Sequence, residues 1–260
     1  MSALREPLCG PIIGHTTEKS CRLWIQAGDP EDSGNRLSST RRTVGVIGLF
    51  APVAVGGSLL KGYYFRLTRE FDRTGTFCLG VDVALGRYIS DDIPAAERDT
   101  PYPLKPDTAY RVRLGTLSLD DPLPDDDVLS DVELAKRLPR IENMAPLLLE
   151  LPAETTEVTF RTFPDPAARQ DRLSFLLGSC RYPGLMWKIK EADQIFAPMA
   201  DHLEAGAAGE AARFVLMVGD QIYADTLNRF VPVGRADTYA EFQERYQTAL
   251  GAPNTDSSNI

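Results

Sequence analysis

Leu173-Ser-Phe-Leu-Leu177 runs into Gly178-Ser-Cys-Arg-Tyr-Pro183. Later in the chain, Arg213-Phe-Val-Leu-Met-Val218 runs into Gly219-Asp-Gln-Ile-Tyr-Ala-Asp225. Each is a short apolar run that ends in a glycine and a group of reactive side chains. Between them, Met186, Ile189, Asp193, Phe196, Met199 and Leu203 recur at spacings of three and four, all apolar except Asp193. That periodicity predicts a helix. Pro198 falls inside it, and an interior proline costs about 3 kcal/mol, so a kink or an early end is expected there. Gly206 to Gly209 reads as a loop. Strand, helix, strand, with near-continuously apolar strands, is the pattern of a βαβ unit in a covered parallel sheet.

In such a unit both strands end on the same edge of the sheet, where open α/β sheets hold their ligands. If the strands are adjacent they lie about 4.8 Å apart. Cys180 and Asp220 can then reach one point. A thiolate, a carboxylate and the Tyr223 phenol converging there suggest a metal. A phenol of ordinary pKa near 10 ligates well only to a strong Lewis acid that displaces its proton. Ferric iron meets that need better than zinc, which draws more on His and Cys. Asp237 to Leu250 reads as a further helix with Asp237 as its N-cap, and Gly251 to Ile260 carries no structural signal.

Upstream of about residue 165 the pattern changes. Cys21–Ala27, Arg42–Phe50, Gly62–Leu67, Gly75–Val83, Ala109–Leu117 and Thr156–Thr162 are short β-rich runs between turn residues such as Gly28-Asp-Pro30. They predict an antiparallel sandwich over residues 1–165. Asp120 to Met144 is acidic, and the 120–145 stretch reads as a solvated insertion with one short helix around Asp131 to Arg137. Phe163 to Arg172 has two prolines and mixed charge and reads as a linker.

Leu104-Lys-Pro-Asp-Thr-Ala-Tyr-Arg-Val112 resembles the L-x-P-x-T-x-Y-x-V stretch of fibronectin type III domains. The resemblance implies a corner at Tyr110, its hydroxyl bonding back to the backbone. Leu176-Leu-Gly-Ser-Cys-Arg181 and Met217-Val-Gly-Asp-Gln-Ile-Tyr-Ala-Asp225 resemble the first two metal-binding motifs of alkaline phosphatase D-like phosphatases. Cys9-Gly-Pro-Ile-Ile-Gly-His15, onward to Leu23-Trp-Ile25, is similar to that family's N-terminal fibronectin-like domain. The likeness extends from about residue 9 to residue 250.

The resemblance implies a fibronectin III- or Ig-like sandwich followed, over 166–260, by the start of an α/β metallophosphatase domain of the calcineurin-like phosphoesterase fold. It implies hydrolysis of phosphate monoesters or diesters by a metal-activated hydroxide at an iron and calcium centre. Carried onto this chain, Cys180 and Tyr223 bind iron, and Asp220 bridges the iron and the second metal. Arg181, next to the cysteine, is read as a contact to substrate phosphate, and Asp225, ranked below the others, as a support behind the metal ligands or an outer substrate contact. Taken singly, Cys180 reads as a structural cysteine, Asp220 as a turn residue and Tyr223 as core. In this order the ligand reading prevails. The family's later motifs supply further Asp, Asn and His ligands, and neither G-N-H-[DE] nor G-H-x-H occurs here. The expectation is an incomplete catalytic domain with little or no phosphatase activity from this chain alone.

Two other readings compete. One is a non-catalytic binding protein whose sandwich recognises a partner and whose second part is vestigial. The other is an unrelated α/β hydrolase with Cys180 as nucleophile. That needs a histidine base, and His202 falls toward the far end of the helix. The two histidines, His15 and His202, are too few for a histidine-based centre, and His15 reads as a hairpin-turn residue. The four cysteines form no C-x-x-C pair and no disulfide scaffold. A net charge of -9 argues against nucleic acid as a partner through bulk charge. No apolar run approaches the ~20 residues that span a bilayer, and no signal-peptide pattern opens the chain. A cytoplasmic protein is expected.

Overall fold

The computed structural model describes residues 4–28, 41–51, 57–67, 73–80, 87–88, 102–122, 134, 136–168, 172–180, 194–204, 212–223 and 236–250. The chain divides into two compact units, with the boundary between Ala167 and Ala168.

The first unit is built from β1 (Leu4–Arg5), β2 (Cys9–Thr16), β3 (Ser20–Gln26), β4 (Arg41–Phe50), β5 (Leu59–Arg66), β6 (Thr74–Gly80), β7 (Arg87–Tyr88), β8 (Ala109–Pro122) and β9 (Glu157–Arg161). Between β8 and β9 lie α1 (Ile141–Glu150) and the single turn α2 (Ala153–Thr156). One sheet has the order β1-β8-β4-β5-β7, with β9 also on β8, and the other is β2-β3-β6. All pairs are antiparallel. The sheets face each other across a core of Leu23 and Ile25 from β3, Phe77 and Leu79 from β6, and Ile47, Leu49, Tyr63, Phe65, Val112, Leu114 and Phe160 from the larger sheet. Phe77 packs its ring 5.1 Å from Tyr63 and 5.5 Å from Phe65.

The near-continuous apolar run of β4 has a simple cause. Successive side chains point to opposite faces, and both faces of this sheet are covered. Ile47 and Leu49 enter the sandwich core, while Val44, Val46 and Phe50 enter a second core on the outer face. The same alternation places Tyr64, Leu117 and Leu119 on the outer side.

What covers that outer face overturns one expectation. The acidic stretch does not read through as a solvated loop: Leu134, Leu138, Ile141, Met144, Ala145 and Leu148 are buried in the second core. These positions recur every three or four residues among the acids and prolines. Burying such side chains yields on the order of 1.5–3 kcal/mol each, enough to hold α1 despite Pro146 within it. The stretch also begins in strand, because β8 continues to Pro122. Of the short helix expected over 131–137, Leu134 is helical and 136–138 form a turn; the rest lies outside the described residues.

The seat for α1 is made of glycine. Gly48 and Gly62 are cross-strand partners. A Cβ on Gly62 would collide with Ile141 Cγ1, and one on Gly48 would lie 3.2 Å from Leu148 Cδ1. The outer face is closed at the loop by Tyr64, whose hydroxyl donates to the Pro139 carbonyl at 2.9 Å.

The tyrosine corner forms as expected: the Lys105 N–H donates to the Tyr110 hydroxyl at 2.7 Å. Thr162 closes the same corner, accepting from the Thr108 N–H at 2.9 Å and donating to the Lys105 carbonyl at 2.6 Å. The predicted linker is anchored at its start, where the Phe163 N–H donates to the Thr17 carbonyl. His15 lies within β2, not in the turn, because pairing runs to Thr16↔Cys21. Residues 29–30, 81–83 and 169–171 of the expected elements lie outside the described residues.

The second unit contains β10 (Leu176–Gly178), α3 (Phe196–Glu204), β11 (Val215–Met217) and α4 (Tyr239–Leu250). β10 and β11 are parallel neighbours, in register Leu176↔Val215 to Gly178↔Met217. Backbone bonds extend the ladder from Arg213 N–H to Ser174 O at one end to Cys180 N–H to Gly219 O at the other. Among the described residues these strands are only partly covered: Leu177 of β10 is 64% exposed and Leu216 of β11 45%. Pro198 does not break α3. It sits in the first turn, where its missing N–H has no intrahelical partner to lose. Met186, Ile189 and Asp193, the Gly206–Gly209 loop and the tail 251–260 lie outside the described residues.

The cap of α4 is Thr238, one residue later than predicted. Its hydroxyl accepts from the Glu241 N–H at 3.3 Å, and Glu241 accepts from the N–H groups of Thr238 and Asp237 at 2.9 and 2.8 Å. This reciprocal box holds the Glu241 carboxyl below its usual range, first through the Asp237 bond. The T-x-x-E spacing is its signature in the sequence, and it was the better signal than Asp237. Among the described residues no helix is long and apolar enough to cross a membrane.

Candidate metal centre

The two parallel strands end level, and their reactive residues are offset by one place. Gly178 stands opposite Met217, and the ladder continues until the Cys180 N–H meets the Gly219 carbonyl at 3.1 Å. Cys180 is then beside Gly219 and next to Asp220. The Cys180 thiol donates to Asp220 Oδ2 at 3.2 Å. Ser179 Oγ lies 3.3 Å from the same sulfur.

Both residues are held in left-handed backbone, with φ of 60° at Cys180 and 52° at Asp220; Gly219 between the strand and Asp220 has φ 144°. For a residue with a Cβ this conformation costs roughly 1–2 kcal/mol. Asp tolerates it through its short polar side chain, whereas Cys has no such help. Strained backbone of this kind clusters at sites that act on something. Gly219 needs its freedom for φ alone, since a Cβ there meets nothing within 4 Å.

The expected donors fare differently. Cys180 and Asp220 are brought together and both are exposed. Tyr223 lies three residues beyond Asp220, partly exposed. Arg181 and Asp225 lie outside the described residues. His202 is exposed in the last turn of α3, and the Cys180 sulfur is bonded to Ser179 and Asp220, with no thiol–imidazole pair among the described hydrogen bonds. Ser179 and Gln221 were not singled out in the sequence; their place between the reactive residues of each motif was the available signal. None of the four cysteines forms a disulfide.

A soft sulfur and a hard oxygen fit one shared cation. Metal–sulfur and metal–oxygen bonds of about 2.3 and 2.1 Å, meeting at 90–109°, put the two donors about 3.1–3.6 Å apart. The observed 3.2 Å falls in that span. Among the described residues, no group of three or more His, Cys, Asp or Glu side chains is placed to hold a metal ion.

No protein-family model and no curated protein matches the chain. Among solved structures it is similar to PhoD, at 15% sequence identity and a TM-score of 0.51. The similarity covers 95% of this chain and 36% of the PhoD chain, so this chain spans about a third of PhoD's length. At that identity the likeness speaks for fold: over nearly all of its length, this chain has a PhoD-like fold.

Proposed function

We propose that the second unit is part of a metal-dependent phosphoesterase site, in which Cys180, Asp220 and Tyr223 hold iron and Asp220 also faces a second cation, calcium. The observation that carries this reading is the Cys180–Asp220 pair, formed by two strained residues at the ends of adjacent parallel strands. The PhoD-like fold supports it.

A cation bound there supplies Lewis-acid chemistry, acidifying water and offsetting charge on phosphoryl oxygens. The chain's own residues have simpler tasks. The strand ends fix sulfur and carboxylate at ligand spacing before any ion arrives, so little order is lost on binding. Ser179 shares a hydrogen bond with the sulfur and limits its rotation. Arg181 follows the cysteine and is assigned to substrate phosphate. With a net charge of -9, an anionic ester has to be drawn in by such a local positive group and not by the protein's overall field.

The test is metal content and turnover together. Purified in metal-replete medium, the longest natural form should carry iron and show the colour of a phenolate-to-iron charge transfer, lost in Tyr223→Phe. It should also hydrolyse a phosphate mono- or diester. A colourless, metal-free protein with no turnover would instead favour a non-catalytic binding protein.

A further inference from the structure

We propose that Gln221 is a positioning residue for the Cys180–Asp220 pair. Its side-chain amide donates to the Gly219 carbonyl at 2.5 Å. The same carbonyl accepts the Cys180 N–H at 3.1 Å. A carbonyl oxygen has two lone pairs, and here each strand's turn supplies one donor. Asp220 is the residue enclosed by this two-residue hook.

The consequence is local and specific. Asp220 cannot leave its left-handed conformation without separating the Gly219 carbonyl from the Gln221 amide on its other side, and Cys180 holds that carbonyl from the neighbouring strand. The hook therefore keeps the carboxylate within reach of the thiol, at 3.2 Å. Gln221 touches neither the sulfur nor the carboxylate in any described hydrogen bond, and acts through the backbone. The purpose of this arrangement rests on the metal-site reading, but the arrangement itself can be tested with no metal present.

The experiment uses the full chain, metal-free, and a thiol reagent, dithiobis(nitrobenzoate), at one neutral pH. Cys180 is exposed, whereas Cys9 and Cys21 are buried; the Cys180→Ala chain supplies the background from Cys78. Gln221→Met keeps the side-chain length and removes the donor. Loss of one ordinary hydrogen bond should free the thiol and raise the Cys180 rate about 2- to 10-fold. In an Asp220→Ala background the thiol has no carboxylate to be held against, so Gln221→Met should add nothing there. An unchanged rate overturns the proposal. So does the same fold-increase in both backgrounds, which would mean that Gln221 does not act through Asp220. Gln221→Leu removes the donor in a second way, without adding charge, and carries the same expectation. Unfolding of both variants, read by far-UV circular dichroism, also overturns it, because Gln221 would then be a structural residue. Failure of the chain to bind metal would sink the metal-site reading and leave this result standing.

Discussion

Cys180 and Asp220, on different strand ends of a parallel pair, stand with thiol sulfur and carboxylate oxygen 3.2 Å apart. Two donors at that spacing should share a cation. Titration with cobalt(II) should produce a sulfur-to-metal charge-transfer band in the near ultraviolet. Cys180→Ser should abolish the band, and Asp220→Asn should weaken binding at least ~10-fold, the lower end of what even outer-shell partners contribute. A band that survives in Cys180→Ser would place the metal elsewhere.

Gly62 is the floor beneath Ile141. Gly62→Val should destabilise the first unit by about 1–3 kcal/mol through overpacking, measured by urea unfolding. Ile141→Ala should cost about 2–5 kcal/mol through the cavity. In the double variant the two costs should not add, because the valine occupies space that Ile141 vacates. Additive losses would show that the collision is not the cause.

Tyr110 accepts the Lys105 N–H through its hydroxyl and stacks on Phe160 with ring centroids 5.6 Å apart. Tyr110→Phe keeps the ring and strands the amide. The expected loss is about 1–3 kcal/mol, the cost of leaving a part-buried donor unsatisfied. A loss near zero would mean water reaches that amide.

Glu157 accepts from Arg111 at 2.8 Å and from Arg113 at 2.6 Å. The Arg111 hydrogen bond first, and then the one from Arg113, holds its carboxyl below the usual range. A depressed carboxyl contributes stability above its unfolded pKa, about 4.3, and loses it as pH falls through the lower folded value. Glu157→Gln should therefore lower the urea midpoint at pH 7. The gap to the parent should close as pH falls below about 4. A gap that stays constant down to pH 2 would assign the effect to shape and not to charge.

Much of this chain was readable from its residues because the signals were local. β3, β4 and β5 follow β-rich runs between turns. The Tyr110 corner follows from Leu104, Pro106 and Thr108 at fixed offsets. The two apolar runs become parallel strands, and their reactive ends share one edge because register alone puts them there.

Other features were hidden because their cause is not local. The 120–145 stretch reads as solvent-exposed by its charge, but Leu134, Leu138, Ile141, Met144 and Ala145 bury a sheet face that only three-dimensional pairing creates. Pro198 reads as a breaker until the helix start is known to lie two residues before it.

By itself, the sequence determined most of the longer strands, the corner and which side chains could do chemistry, since spacing and residue type act over a few neighbours. Only the tertiary structure decided that Gly48 and Gly62 form the seat of α1, and that the Cys180 sulfur meets the Asp220 carboxylate. Both depend on which strands pair and in what register, and that is settled by burial summed over the whole unit and not by any one segment.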